Sequence, residues 1–116
     1  MANADTKQTG GLPEPRRYAR FPVSLPVIGR AVQFPQREIE GVVRSISAGG
    51  LMAEFPVQMP PGGAVGLVLQ TRHGPLTVEG RVVWTSATRG TVRHGFAFPE
   101  PKWPGFAMDL FLDENR

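Results

Sequence analysis

Leu76-Thr77-Val78-Glu79-Gly80-Arg81-Val82-Val83-Trp84, then the turn Arg89-Gly90, then Val92-Arg93-His94-Gly95-Phe96-Ala97-Phe98 decide the fold class of this chain. Leu76, Val78, Val82 and Trp84 share parity in the first run, and Val92, His94, Phe96 and Phe98 share it in the second. A period of two puts one set of side chains on one face of a strand, so the stretch reads as a β-hairpin. Gly80 interrupts the first run and is expected to mark a bulge. Trp84 is expected in the core or against a docking helix.

The same alternation extends upstream. Val23, Leu25 and Val27 alternate with Ser24 and Pro26, and the prolines point to an edge or bulged strand. Glu38 to Ile46 reads as a second strand, and Leu51, Ala53 and Phe55 mark a third. Pro60-Pro61-Gly62-Gly63 is a turn, Val65, Leu67 and Leu69 share one face of a fourth strand, and His73-Gly74-Pro75 turns the chain into the hairpin. Downstream the period changes. Trp103, Phe106, Ala107, Leu110 and Phe111 follow helical spacing, with Pro101 and Pro104 near the first turn. The expected fold is therefore all-β, a six-stranded antiparallel β-barrel with one C-terminal α-helix. Closure removes the exposed edges that six short strands would otherwise present.

Composition agrees with one small domain. The chain has 116 residues, 41% of them apolar, with 14 glycines and 12 prolines, which favours turns over long helices. Residues 1–13 read as a flexible tail and 14–116 as the domain. Cysteine is absent, which excludes disulfides, thiolate catalysis and Cys-ligated zinc. No apolar run approaches the roughly 20 residues of a membrane helix. The first residues lack the apolar core of a signal peptide. The expectation is a soluble, cytoplasmic protein without membrane insertion.

The net charge is only +3, yet three of the 13 basic side chains fall within Arg16–Arg20. A local basic cluster on a near-balanced chain suits a small anion better than a long polyanion, which needs more phosphate contacts. Aromatics are 9% of the chain and mostly on core parity, so nucleic acid is not an expected partner. Arg16 and Arg20, four apart, share a side in either a helical turn or an extended arm, with Arg17 between them. Two guanidinium forks can then meet one phosphate or the O6/N7 edge of a guanine. Alone, the cluster reads equally well as a solvated basic arm.

Arg44-Ser45-Ile46-Ser47-Ala48-Gly49-Gly50-Leu51 is the second candidate. On a strand Ser45 and Ser47 face the same way, and Gly49 and Gly50 permit positive φ or close approach of a ligand. Backbone amides of such a turn can also cradle an anion. The alternative is a strand-ending turn whose hydroxyls are satisfied locally. His73 and His94 read as structural. Arg72, Arg81 and Arg93 fall on solvated positions, with Arg93 also a candidate for a ligand face. No nucleophile–base pair, metal cluster or phosphate loop suggests an enzyme.

Together the two segments carry a resemblance. Arg16-Arg17-Tyr18-Ala19-Arg20 resembles the RxxxR element of the PilZ domain family, and Ser45-Ile46-Ser47-Ala48-Gly49-Gly50 resembles its D/N-x-S-x-x-G element. Gly80-Arg81-Val82-Val83-Trp84 and Gly95-Phe96-Ala97-Phe98 are also similar to PilZ sequences. The resemblance spans residues 14–112. It implies a barrel that binds cyclic di-GMP, often as a stacked dimer, with no other cofactor. The arginine role falls to Arg16 and Arg20 with Arg17 beside them. The guanine-reading role falls to Ser47 and Gly50, with Gly49 in the same turn. Ser45 stands where the family has Asp or Asn, which exchanges a charged or amide acceptor for one short hydroxyl. The resemblance further implies a small receptor or adaptor acting on an unidentified protein effector. The alternative is a degenerate PilZ-like protein-interaction module that binds no nucleotide.

Overall fold

Strand β1, Phe21–Ala31, turns Val23, Leu25, Val27 and Ala31 inward and Ser24, Pro26 and Arg30 outward. The computed structural model describes residues 18–33 and 36–115. Within them β2 (Ile39–Ile46), β3 (Gly50–Phe55), β4 (Ala64–Thr71), β5 (Gly74–Thr88), β6 (Thr91–Ala97) and helix α1 (Phe106–Glu114) follow in order. The strands close in the order β1-β2-β3-β6-β5-β4 and back to β1, every pairing antiparallel. The all-β architecture with its terminal helix is thus as the periodicity indicates. The proposed tail, residues 1–13, lies outside the described residues.

The two prolines of β1 do not make it an edge. Its register to β2 shifts between Pro22 and Leu25, which is the bulge, while the strand pairs on both sides. Pairing to β4 begins only at Val27, so Pro26 sits just past that ladder, where a missing N–H is tolerated.

In β5 the expectation needs correction. The register shift lies between Val82 and Trp84, so Val83 is the extra residue and Gly80 is not. Gly80 instead leaves room for the Phe96 side chain, which a Cβ there would meet at 2.9 Å. The bulge reverses parity: Val82 stays buried, while Trp84 moves to the outer face and is 38% exposed. Trp84 is therefore not a core residue. β5 also changes neighbour along its length, pairing to β4 over Gly74–Arg81 and to β6 over Arg81–Thr88.

Helix α1 closes one end of the barrel with Phe106, Ala107 and Leu110 buried. Phe111 packs against Phe21 of β1 with the rings tilted and 5.6 Å apart, and Phe98 meets Phe106 edge-on at 6.1 Å. Trp103 is not on this stripe. Gly105, at φ 89, starts the helix after it, and the indole is largely exposed and near-perpendicular to the Phe106 ring. The helix C-terminus is tied to the β4–β5 turn. Arg72 donates to the Asp113 carbonyl at 3.0 Å, and His73 lies 3.3 Å from the Asp113 carboxylate.

His94 is structural, as expected of a histidine sharing parity with phenylalanines. It is fully buried, stacked on Phe96 and edge-on to Phe55. Its Nε2 accepts the Met59 amide at 2.9 Å and its Nδ1 meets the Val92 carbonyl at 3.0 Å. Both contacts are satisfied by one neutral tautomer, with the proton on Nδ1. Burial holds the imidazole below its ordinary pKa, against the opposing pull of the Val92 carbonyl. Well above the ordinary pKa of about 6.5 neither folded nor unfolded chain is protonated here, and stability is complete. As pH falls below that value the unfolded chain takes up a proton that the folded chain resists, so stability drops. Urea unfolding should show a lower midpoint at about pH 5.5 than at about pH 7.5, with the difference reduced in His94→Gln. An equal loss in the variant would assign the effect elsewhere.

Candidate functional site

Because Leu51, Ala53 and Phe55 fill the core, Gly50, Met52 and Glu54 of β3 face outward. Register then sets a row across four strands: Ser45 of β2 opposite Met52, Met52 opposite Gly95 of β6, Gly95 opposite Trp84 of β5. This row floors a shallow recess of about 40 Å³ whose lining includes Arg20, Ser45, Ser47, Gly50, Trp84 and Gly95. The indole of Trp84 lies against Gly95, where any Cβ would run into the ring. A Cβ on Gly50 would run into the backbone carbonyl of Phe96. Two glycines thus admit the Phe96 carbonyl and the Trp84 indole at close range.

The recess gathers four of the seven candidate residues. Arg20 arrives because Phe21 pairs with Ile46 and Pro22 with Ser45, which brings the start of β1 beside the end of β2. Ser45, Ser47 and Gly50 line the recess with it. Gly49 belongs to the adjoining turn but not to the lining. Arg16 and Arg17 lie outside the described residues. Trp84 joins the site without having been read as functional. The signal was present in Val82-Val83-Trp84, but only the bulge at Val83 turns the indole outward.

The turn itself is locally saturated. Ser47 is buried, and its Oγ accepts the amides of Gly49 and Gly50 at 3.2 Å each and donates to the Gly50 carbonyl at 3.3 Å. The Ser47 amide donates to the Gly50 carbonyl at 2.8 Å. Phe98 and Lys102 amides donate to the carbonyls of Gly49 and Ala48 at 2.9 and 2.8 Å, tying the turn to the segment after β6. The Gly49 and Gly50 amides are therefore already engaged by Ser47 and do not form an anion cradle. Neither glycine has positive φ; the reason for Gly50 is the close approach of β6. By contrast the Ser45 hydroxyl makes no hydrogen bond among the described residues, and it faces the recess.

Among the described residues no group of three or more His, Asp or Glu could hold a metal ion, and no helix is long and apolar enough to cross a membrane.

No curated protein sequence matches the chain. Among solved structures it is similar to the Bacillus subtilis inhibitor of motility MotI/DgrA, at 19% identity and a TM-score of 0.63. That likeness covers 85% of this chain and 49% of the other, so this chain spans about half of that protein's length. It is similar to the PilZ domain of YcgR from Escherichia coli, solved with c-di-GMP, at 16% identity and a TM-score of 0.62 over 84% of this chain and 86% of that one. It is also similar to the PilZ domain of CeSA from a cellulose-synthesizing bacterium, at 18% identity and a TM-score of 0.56, covering 84% and 92%. At such identities these likenesses speak to the fold. The family-level evidence is the PilZ domain model, which matches residues 14–102 and so takes in the arginine arm, the serine–glycine turn and all six strands. This chain belongs to the PilZ domain family.

Proposed function

We propose that this chain is a receptor for cyclic di-GMP, and that the ligand seats a guanine edge in the recess between Ser45 and Trp84. One observation carries the reading: Arg20, Ser45, Ser47 and Gly50, drawn from two separate segments of sequence, line a single recess. The ligand seen with the YcgR PilZ domain, which shares this fold, supports it.

Each group has a chemical task. The Arg20 guanidinium offers a fork that fits phosphate or the O6/N7 edge of guanine. Trp84 offers a flat face for base stacking, a contact available to any base. Ser45 meets the guanine N1–H and N2–H edge with one hydroxyl. Ser47 and Gly50 act by shape, holding the turn closed so that Ser45 and the Gly50 backbone stay in place. Gly49 serves the same turn. A recess of about 40 Å³ is far below the 300–1,000 Å³ of an enclosing ligand pocket. It accommodates an edge of the nucleotide, and the remainder is covered by the 14–20 arm, with Arg16 and Arg17 closing over the phosphates. Ordering of that arm against the barrel is the signal a protein effector reads. The bound form is a stacked dimer, the role is that of a cytoplasmic adaptor rather than an enzyme, and the functional unit is 14–116.

A second reading, a protein-interaction module that binds no nucleotide, is favoured by Ser45 in the acceptor position. Ser45→Asp separates the two. A carboxylate there adds a charge-assisted hydrogen bond of about 1.5–3 kcal/mol, or roughly 10- to 150-fold in affinity. Calorimetry should show tighter cyclic di-GMP binding in the variant. An unchanged or weaker dissociation constant would remove Ser45 from the guanine edge.

A further inference from the structure

The outer face continues past the recess. Two residues beyond Met52 and Gly95 stand Glu54 and Arg93, directly opposite one another on β3 and β6. Arg44 of β2 reaches the same carboxylate, at the register shift between Val43 and Ser45. Arg44 Nε donates to Glu54 Oε1 at 3.1 Å and Arg93 Nε donates to Oε2 at 3.3 Å. The Glu54 side chain is only 18% exposed, whereas those of Arg44 and Arg93 are 46% and 51% exposed.

This arrangement differs from a closed ion pair. A fork-to-fork pair engages two nitrogens of one guanidinium with both carboxylate oxygens. Here each arginine gives Glu54 only its Nε–H, one oxygen apiece. Among the described residues no other acceptor meets either guanidinium, and both side chains are about half exposed, which leaves the terminal NH2 groups available to an anion. The cluster keeps a net charge of one positive unit. Glu54 is thus a positioning residue: it fixes two guanidinium planes side by side while leaving their outer edges for an anion.

The placement gives that anion an identity. Along β3 the outward positions are Gly50, Met52 and Glu54, so the cluster lies about 13 Å from the Gly50 end. Arg20 enters at the Gly50 end, since Phe21 pairs with Ile46 and Ile46 with Leu51. Cations therefore bracket the recess along the strand direction. We infer that Arg44 and Arg93 form a second phosphodiester subsite, opposite Arg20 across the recess, which takes a phosphate of the bound cyclic dinucleotide. The inference rests on the cyclic di-GMP reading. The phosphate belongs either to the molecule whose base fills the recess or to a second molecule stacked on it.

Calorimetric titration of cyclic di-GMP into Arg44→Gln, Arg93→Gln and the double variant tests this, with Arg89→Gln in the β5–β6 turn as the control for a lost surface charge. Thermal melts of the single variants should stay near the wild type, because Glu54 keeps one arginine in each and both arginines are about half exposed. The double variant should bind roughly 10-fold more weakly or worse. Weaker binding at unchanged stoichiometry assigns the phosphate to the same molecule. Loss of one of two bound equivalents assigns it to a stacked second molecule. If wild type binds and both single variants and the double variant match Arg89→Gln in affinity and stoichiometry, the subsite is overturned while the cyclic di-GMP reading stands. If wild type itself does not bind, both fall together.

Discussion

Arg16→Ala and Arg20→Ala should each weaken cyclic di-GMP binding by roughly 100-fold or more, while the melting temperature moves by no more than about 4 °C. A guanidinium that grips a phosphate makes two charge-assisted hydrogen bonds, each worth about 1.5–3 kcal/mol when its partner is left behind in the complex. No core group is touched by the change. Arg20 is exposed, on the chain just before β1, and lines the recess with the serine–glycine turn. Arg16 stands four residues earlier in the sequence, a spacing that either a helical turn or an extended arm would return to the same side. The divergence between ligand affinity and fold stability is the signature of a clamp. If both variants bind within about threefold of wild type, with the melt unchanged, the arm is not the site.

Gly50→Ala should have the opposite profile, lowering stability and binding together. Gly50 pairs with Ala97, and its added Cβ would strike the Phe96 carbonyl oxygen. That oxygen is backbone, so no rotamer change relieves the clash, and β3 and β6 must separate where the recess floor lies. Overpacking of this kind costs about 2–3 kcal/mol, or roughly 10–20 °C in melting temperature. Gly66→Ala is the matched control. It lies within β4, and its Cβ would meet only the Arg30 carbonyl, at an ordinary 3.8 Å. Thermal melts of the two variants should therefore separate clearly. Equal melting temperatures would contradict the close approach of the two strands at Gly50.

These two positions illustrate how much the sequence discloses. Gly50 is legible as a required glycine, but for the wrong reason: the turn suggests positive φ, whereas the backbone there is ordinary and the constraint comes from β6. Only register reveals it. The strands are legible because one buried face imposes a period of two over Val23–Val27, Leu51–Phe55 and Val65–Leu69. The same rule fails at Trp84, since a period-two reading has no means of seeing an inserted residue, and Val83 is as good a strand former as its neighbours. Gly80 draws attention as a glycine, yet its task is to admit Phe96. Trp103 fits the helical spacing, but Gly105 starts the helix two residues later, which leaves the indole outside the buried stripe.

The candidate site shows the same division. Arg20, Ser45, Ser47 and Gly50 are legible from short spacings, and the barrel brings them to one recess. Ser47 separates from Ser45 only in three dimensions. One hydroxyl is consumed by the turn it closes, and the other faces the recess. Arg93 is legible as a candidate for a ligand face, but its meeting with Arg44 and Glu54 is not, because the three are distant in the chain and meet only through the β2–β3–β6 register.

Calorimetric titration of the unaltered chain with cyclic di-GMP, with GTP and cyclic AMP as controls, decides whether it is a cyclic di-GMP receptor. Saturable binding of cyclic di-GMP and of none of the controls is expected, with affinity falling as salt rises because arginines meet phosphates. Absence of binding, or equal binding of GTP, would contradict it.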